Sequence, residues 1–420
     1  MRFETLAEWL AWQESLHPQA IELGLCRVSR VLQQMGLPTR QAFTFSVGGT
    51  NGKGSCVAML ASILREAGYR VGTYTSPHIL RYNERIAIDG QPVDDRSILA
   101  AFDRVDRARE NTSLSFFEFG TLTALDIFSA AQLDVRILEV GLGGRLDAVN
   151  IVDADVALIA SIDIDHQEWL GDTREAIGYE KAGILRTGRP AVIADPEPPD
   201  SVLRYAQDQD TPLHRPGRDF GFERSGHTWH WWGSGQRWTA LPEPAIPGEH
   251  QYLNAAAVLE CLQLATTELP VTDTAIRRGL AGVKLPGRFQ YFPGAVPVLL
   301  DVAHNPQAAR ILAGYLRQHY QGTRIRAVFS VMRDKDIAGM IDPLRDTIDC
   351  WYLAPLRMTR AATPEELSEF LHNAGVSHIK RGYADVSEAC YSARQDSAAG
   401  DLLLVFGSFF LVSDYLALVA

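Results

Sequence analysis

The chain has 420 residues, of which 46% are hydrophobic and 22% charged, a composition typical of soluble globular proteins and a length that predicts two domains. The formal net charge of -11 argues against a nucleic-acid surface, which needs a basic patch, but allows a small anionic substrate in a local basic pocket. Acidic residues interrupt the apolar N-terminus, no run is long enough to span a membrane, and the five scattered cysteines contain no C-x-x-C pair. We therefore expect a cytoplasmic protein without a disulfide framework or a zinc site.

The first predicted elements surround a glycine-rich segment. Residues 3–35 are expected to be helical and amphipathic, and the alternating, β-rich residues 42–47 to form a strand. The glycine-rich segment Val47–Ser55 follows, and then apolar residues at helical spacing over 56–65. Glycines in such a turn let backbone N–H groups approach a polyphosphate, and the helix N-terminus adds partial positive charge. This arrangement predicts a phosphate-binding loop.

The segment approximates the pattern G-x-x-x-x-G-K-[ST] without matching it. Gly54 stands where Ser or Thr is expected, and Val47 stands where the first Gly is expected. Lys53 would lie along the β- and γ-phosphates, and Ser55 would offer its hydroxyl to Mg²⁺. The alternative is a glycine-rich turn that binds nothing, but a lysine inside the turn argues against it. The loop alone predicts ATP or GTP and no particular reaction.

Strands and helices then alternate, which implies a mostly parallel sheet. Further strands are predicted at 69–75, 135–140, 156–161 and 191–194, and helices at 94–110, 115–131 and 250–265. Between 195 and 250, four tryptophans among glycines and polar residues predict short antiparallel strands, with the tryptophans packing a small sheet rather than stacking on a ligand.

Prolines and glycines near residues 285–297 indicate a linker. Strands at 298–301, 326–331, 350–353 and 402–406 then predict a second α/β run. The expected fold class is α/β. A P-loop-type, mostly parallel sheet domain with a small antiparallel sheet is expected over residues 1–285, and a smaller Rossmann-like domain over residues 286–420.

Polar residues follow several predicted parallel strands, at the sheet edge where ligands gather. Ser76, Glu139 and His166 each end a different strand of the first domain and form a plausible Mg²⁺ shell, although each also suits a capping role. Lys181 lies near a predicted helix end, and a lone lysine is usually a solvated surface group. Asp147, in a glycine-rich loop, would either accept paired N–H donors from a heterocycle or cap the next segment.

The second domain has a similar concentration of polar residues. Asp301, His304 and Asn305 crowd one turn between a strand and a helix that begins at a proline. Arg288 precedes them in the linker, where it would reach a phosphate, and Ser408 follows the last strand.

Taken together, these segments resemble the folylpolyglutamate synthases, and most closely the bacterial bifunctional dihydrofolate synthase/folylpolyglutamate synthases. The resemblance extends from about residue 20 to the end of the chain. It is carried by Gly49–Ser55, Thr75–His78, Tyr82–Arg85, Glu139–Ala148, Asp165–His166, Leu170–Gly171, Glu180–Ile184, Pro286–Arg288 and Asp301–Pro306. The family shares the departures from the phosphate-loop pattern noted above.

The resemblance implies an ATP-dependent carboxylate–amine ligase of the Mur-ligase type that forms an acyl phosphate. It assigns ATP contacts to Thr50, Asn51, Gly52, Lys53, Gly54, Ser55, Asn254, Arg288 and Asp301, and metal contacts to Ser55, Ser76, Glu139 and His166. Catalytic roles fall to Lys53, Lys181, His166 and Glu139, and Lys181 matches the lysine that is carbamylated in this family. Ser115, Phe117, Asp147 and Ala148 match the pterin site, and Arg85, His304 and Ser408 match positions tied to glutamate.

The implied substrates are dihydropteroate, reduced folates, L-glutamate and ATP. Mg²⁺ is the expected metal, at two sites, and a monovalent cation is compatible with the resemblance. A monomer that binds neither nucleic acid nor membrane is expected. The alternatives are a monofunctional folylpolyglutamate synthase, another Mur-type amino-acid ligase such as one acting on peptidoglycan precursors, and a nucleotide-dependent switch.

Overall fold

The computed structural model describes residues 1–19, 21–38 and 40–419, in which the chain forms two compact units. Unit 1 comprises Met1–Asp163, Leu170–Ala245 and Gln251–Lys284. Unit 2 comprises Leu285–Ala420 together with two short earlier segments, Ile164–Trp169 and Ile246–His250. The main change of unit therefore lies at the proline- and glycine-rich stretch.

The helices of the described residues begin and end close to local sequence signals. They are α1 (Leu6–Leu16), α2 (Cys26–Met35), α3 (Lys53–Glu66), α4 (Asp95–Arg109), α5 (Phe116–Ala131), α6 (Gln167–Leu170), α7 (Arg174–Ala182), α8 (Asp200–Asp208), α9 (His250–Leu264), α10 (Asp273–Gly282), α11 (Pro306–His319), α12 (Ile337–Ile341), α13 (Pro364–Asn373), α14 (Val386–Gln395) and α15 (Phe409–Val419). Asp94 and Ser115 cap α4 and α5 with side-chain oxygens, and Asn305 caps α11 just before Pro306. No helix among these residues has the length and apolar character that a membrane crossing requires.

The strands form three sheets. They are β1 (Phe43–Gly48), β2 (Val71–Tyr74), β3 (Ile86–Ile88), β4 (Gln91–Pro92), β5 (Val135–Glu139), β6 (Val156–Ile159), β7 (Ala191–Ile193), β8 (Leu213–His214), β9 (Phe220–Ser225), β10 (Thr228–Gly233), β11 (Gln236–Pro242), β12 (Gln290–Phe292), β13 (Val298–Asp301), β14 (Ile325–Phe329), β15 (Cys350–Leu353), β16 (Ile379–Lys380) and β17 (Leu402–Phe406).

The large sheet of unit 1 has the order β4-β3-β2-β5-β1-β6-β7-β8 and is parallel from β2 to β8. Val47, at the end of β1, lies opposite Glu139 of β5 and Leu158 of β6. Because neighbouring parallel strands end together, the loops that follow β1, β5 and β6 emerge at one edge of the sheet.

Two smaller sheets complete the fold. In unit 1, β9, β10 and β11 form an antiparallel sheet with Trp229 and Trp231 fully buried, so these tryptophans pack the sheet as predicted. In unit 2, the order is β12-β13-β17-β14-β15-β16, and only β12 runs antiparallel to its neighbour. The predicted α/β fold class, with a mostly parallel sheet, a small antiparallel sheet and a second α/β unit, is confirmed.

Three local predictions were wrong. Residues 3–35 form two helices rather than one, because His17 precedes Pro18 and adopts an extended conformation that ends α1 (residue 20 is outside the described residues). Part of the predicted linker is strand β12, and α8 lies in a region where only strands were expected.

Candidate active site

The loop after β1 is built by backbone conformation. Gly49 and Gly52 have φ angles of +140° and +89°, which residues other than glycine adopt only with strain. Gly52 is the residue before α3, so the helix starts at Lys53, inside the predicted loop. The first N–H groups of a helix lack intrahelical acceptors, so this end of α3 offers donors to an anion.

Contacts with neighbouring elements hold this loop in place. Thr50 N–H donates to the Ser161 carbonyl (2.7 Å), and the Thr50 hydroxyl donates to the Asp163 carbonyl (2.9 Å). Lys53 Nζ donates to the carbonyls of Gly49 (3.0 Å) and Thr50 (3.1 Å). The ammonium group therefore lies over the loop itself, where a phosphate would be bound.

The Ser55 hydroxyl is oriented by a residue that the sequence analysis did not identify. Gln251 Nε2 donates to Ser55 Oγ (3.2 Å), and Asn254 Nδ2 donates to Gln251 Oε1 (3.0 Å). Gln251 and Ser55 are both buried, and Asn254 also lies directly against Gly52. The predicted ATP residue Asn254 is thus connected to the phosphate loop through Gln251, at the first turn of α9.

Two of the predicted metal ligands meet at the same sheet edge. Glu139 is buried at the end of β5, and its Oε2 accepts the Ser76 N–H (3.1 Å). His166 belongs to unit 2, so the predicted set Ser55, Ser76, Glu139 and His166 is divided between the units. No group of three or more His, Cys, Asp or Glu side chains in the described part of the chain has a metal-binding arrangement.

Lys181 is buried, with 4% of the residue exposed, near the end of α7. The expectation from residue type, a solvated surface lysine, was therefore wrong. The physical reason is close packing of α7 on the loop after β5, since a Cβ at Gly144 would lie 2.8 Å from the Glu180 carbonyl and 3.0 Å from that of Lys181. Burial agrees with the functional role that the resemblance implies, and the carbamate remains a prediction.

The predicted pterin residues Phe117 and Asp147 converge on one loop segment. The Phe117 ring lies against Gly141, where a Cβ would come within 2.6 Å of it. Asp147 accepts N–H donors from Leu142 (2.8 Å) and Val149 (2.9 Å), so it is a cap in this structure. Burial raises the pKa of Asp147 to about 6, although these two hydrogen bonds by themselves would lower it. Ala148 is buried beside it.

Ser115 and Arg85 are tied to neighbouring side chains. Ser115 caps α5 by accepting the Glu118 N–H (3.3 Å). Arg85 Nε donates to His78 Nδ1 (2.8 Å), which requires an unprotonated acceptor nitrogen. Burial, and then the charge of Arg85, lower the pKa of His78 to about 4, so His78 is neutral at pH 7.

In unit 2, Asp301 organises the turn after β13. Its two oxygens accept the N–H groups of Phe289 (3.0 Å) and Ala303 (2.8 Å). Burial raises the pKa of Asp301, and the charge of Arg288 opposes this shift. The Arg288 guanidinium lies 5.1 Å from the ring of Phe409, and His304 packs on the same ring at 5.6 Å. Arg288 and His304 thus share a contact with Phe409, the residue after Ser408, a relation that no sequence motif indicated.

Asp165 is a second carboxylate of unit 2 that contacts several polar side chains. It accepts hydrogen bonds from Lys335 Nζ (2.7 Å) and Asn305 Nδ2 (3.1 Å), and His304 Nε2 lies 3.6 Å away. Burial alone would raise the pKa of Asp165, but His304, His166 and Lys335 hold it well below its usual range. Lys335 also lies 3.4 Å from His166 Nε2. Neither Lys335 nor Asp165 has a role that the sequence indicates, because the two residues are 170 positions apart and only the fold pairs them.

Comparison with known proteins decides the family. Residues 47–262 match the Mur ligase middle domain, and residues 287–409 match the Mur ligase glutamate ligase domain. The dihydrofolate synthase/folylpolyglutamate synthase of Escherichia coli (strain K12) is 44% identical over 414 residues, which cover 99% of this chain and 95% of that protein. This chain belongs to the dihydrofolate synthase/folylpolyglutamate synthase family.

Solved structures of family members agree with this assignment. E. coli FolC in complex with DHPP and ADP superposes with a TM-score of 0.94 at 44% identity, covering 99% of this chain and 98% of that one. A bifunctional folylpolyglutamate synthase/dihydrofolate synthase with Mn, AMPPNP and L-glutamate bound superposes with a TM-score of 0.92 at 44% identity, covering 99% and 98%. The predicted family and the predicted class of ATP-dependent ligase are confirmed, and a peptidoglycan-precursor ligase is not favoured by these matches.

Proposed function

We propose that this chain joins L-glutamate to dihydropteroate and then adds further glutamates to reduced folates, with ATP activating the carboxylate in each reaction. The supporting observation is that the Phe117 ring of α5 packs against the loop after β5, which also carries Asp147, in the unit that carries the phosphate loop. An aromatic face beside a buried carboxylate suits a flat heterocycle that carries N–H groups.

The residues of the phosphate loop suit phosphoryl transfer. The substrate carboxylate attacks the γ-phosphorus, ADP leaves, and an acyl phosphate forms; this reaction depends mostly on positioning and charge neutralisation. The α3 N-terminus and Lys53 offset the charge of the phosphates, while Thr50 holds the loop rigid. The neutral α-amine of L-glutamate then attacks the acyl carbon, phosphate leaves, and the amine loses a proton. Because the α-amine of L-glutamate is mostly protonated at neutral pH, it must lose a proton before this attack.

We also propose that Mg²⁺ is the metal, at two sites. The fit rests on the donor set, because the hydroxyls of Ser55 and Ser76 and the buried carboxylate of Glu139 are oxygen ligands of the type that this ion prefers. His166 is proposed to complete the set. When bound, the ion supplies positive charge at the triphosphate. A monovalent cation remains an additional proposal.

Assays of the purified protein with ATP and Mg²⁺ test the function. We expect phosphate release with dihydropteroate plus L-glutamate and also with tetrahydrofolate plus L-glutamate, and little release when either the pterin acid or L-glutamate is omitted. Turnover of tetrahydrofolate alone would identify the monofunctional alternative. Slow hydrolysis that is independent of both acid and amine would identify a nucleotide switch.

The carbamate proposed on Lys181 has its own test. Lys181→Ala should lose activity, and short-chain carboxylates should partly restore it, because they replace an anion that the buried site lacks in the variant. Lys284→Ala, which removes an exposed lysine of unit 1, is the matched control and should remain active without rescue. An active Lys181→Ala protein that carboxylates do not stimulate would rule out the carbamate.

Finally, we propose that residues 1–285 form the ATP-binding domain and residues 286–420 the glutamate-ligase domain of a cytoplasmic monomer. All five cysteines are free, which suits a reducing compartment. Light scattering of the purified protein at micromolar concentration tests the monomer, and a mass near twice 46.4 kDa would contradict it.

A further inference from the structure

A chain of polar contacts joins the start of α2, and the segment before it, to the start of α5. Arg27 Nη2 donates to Glu118 Oε1 (3.2 Å) and to the Glu22 carbonyl (3.1 Å), and Nη1 donates to the Glu22 carboxylate. The guanidinium therefore connects two acidic residues that are 96 positions apart in the sequence. Among the described residues, its Nε is buried and has no hydrogen-bond partner, so these contacts are made by the two Nη groups.

The contact with Glu118 continues to a predicted pterin residue. Glu118 is 3% exposed, and its second oxygen, Oε2, accepts the Ser115 N–H (2.8 Å). Ser115 Oγ in turn accepts the Glu118 N–H, which completes a capping box. Arg27 thus fixes the carboxylate that fixes the first turn of α5, and Phe117 lies in that turn.

A second route ties the same segment to the residues before α5. Glu22 Oε2 contacts His17 Nε2 at 2.7 Å, and His17 Nδ1 contacts Ser113 Oγ at 3.0 Å. Ser113 is therefore attached to His17, at the end of α1, and Ser115 is attached through Glu118 to Arg27 of α2.

The segment also reaches the loop that carries Asp147. Gly24 N–H donates to the Leu146 carbonyl (3.1 Å), directly before Asp147. Gly24 and Arg27 are consequently hydrogen-bonded to residues beside both groups of predicted pterin residues, to Leu146 before Asp147 and to Glu118 in the first turn of α5.

We propose that Arg27 is a positioning residue that sets the spacing between the Ser115–Phe117 turn and the Asp147 loop, and so fits the site to the flat bicyclic end of its substrate. The proposal rests on the proposed function. Arg27 acts through Glu118 and Glu22, and no contact with substrate is required of it. Without the guanidinium, the buried Glu118 carboxylate would lose its charge partner and the first turn of α5 would move.

The test compares Arg27→Met with Arg104→Met. Arg104 pairs through Nε with both oxygens of Asp126 (3.0 Å each), a buried carboxylate further along the same helix α5, so its loss is a matched structural change away from Ser115. We expect Arg27→Met to raise the KM for dihydropteroate about tenfold or more, with kcat and the KM for ATP changed less than about twofold. Arg104→Met should leave all three parameters near their wild-type values.

Arg27→Lys provides a second variant, because a lysine pairs with one carboxylate but cannot bridge two. We expect an intermediate KM for dihydropteroate. This variant also decides the question if Arg27→Met fails to fold. Equal KM values for wild type, Arg27→Met and Arg27→Lys would overturn the proposal, as would a loss that affects the KM for ATP as strongly as that for dihydropteroate.

The wild-type enzyme separates failure of this inference from failure of the proposed function. If the wild type turns over only tetrahydrofolate, the bifunctional proposal fails, and the same comparison is made on the KM for tetrahydrofolate, which carries a similar bicyclic end. If the wild type accepts dihydropteroate and the Arg27 variants match it, only the inference about Arg27 fails.

Discussion

The phosphate loop of unit 1 and the Asp301 turn of unit 2 join a parallel strand to a helix by different means. Gly49 and Gly52 shape the first through backbone conformation, which leaves the N–H groups at the start of α3 available to an anion. The second is shaped by side chains, since Asp301 accepts two backbone N–H groups and Asn305 caps α11.

Because of this difference, we expect substitutions in the phosphate loop to affect binding and substitutions in the Asp301 turn to affect stability. A loop shaped by its backbone can lose a functional side chain and keep its form, whereas a turn shaped by a buried carboxylate loses its form with that group. Substitutions in the two places should therefore affect different measurements.

Lys53→Met should have the largest effect, and chiefly on activity. Removing the ammonium should lower kcat by about 10²–10³-fold, as for other preorganised charges at a reacting phosphate. The free energy of unfolding should fall by only about 1–2 kcal/mol, from the loss of the hydrogen bonds to the Gly49 and Thr50 carbonyls, because the geometry set by the glycines is kept. Lys284→Met, at an exposed lysine, is the control for steady-state kinetics and urea unfolding. A kcat within tenfold of wild type would contradict the role of Lys53.

Asp301→Ala should chiefly reduce stability. The N–H groups of Phe289 and Ala303 would lose their acceptor inside a buried turn, at a cost of about 2–4 kcal/mol for the pair. Asp301→Asn keeps one acceptor oxygen and should lose about half as much. Calorimetry of both variants provides the measurement, and wild-type stability for Asp301→Ala would refute the side-chain origin of this turn.

Asp147, a second carboxylate that accepts two N–H groups, should make stability depend on pH. Its pKa in the folded protein, about 6, lies above the ordinary value of 3.8, so the folded state holds a proton that the unfolded chain has released. The stabilisation that this proton gives the folded state is complete below about pH 4. It is lost as pH rises through 6, which lowers the free energy of unfolding by about 2–3 kcal/mol. Unfolding free energies of wild type and Asp147→Asn should therefore diverge between pH 4 and 7, the wild type losing more. Parallel pH profiles would show that Asp147 does not titrate in this range.

The smallest expected effect is the difference in free energy of unfolding between Gly52→Ala and Gly68→Ala. Both glycines have φ near +90°, so both variants should lose about 1 kcal/mol to backbone strain. At Gly52 the new Cβ would meet Asn254 Oδ1 at 2.9 Å, whereas at Gly68 it would have no atom of the described residues within 4 Å. We expect Gly52→Ala to be less stable than Gly68→Ala by about 1–2 kcal/mol in urea unfolding. Equal losses would mean that Asn254 does not restrict the loop.

Local features of this protein could be derived from the sequence because their causes are local. The helical spacing after residue 53, the glycines of the phosphate loop and the caps at Ser115 and Asn305 each depend on residues within about one helical turn. The resemblance added chemical roles to the same short motifs.

Only the tertiary structure decided which distant groups share an environment. It buried Lys181, placed Gln251 beside Ser55 across 196 positions, paired Lys335 with Asp165 across 170, and connected Arg27 to Glu118 across 91. The burial of a charge and the identity of its partner are set by chain segments far apart in sequence, and neither residue type nor spacing along the chain contains that information.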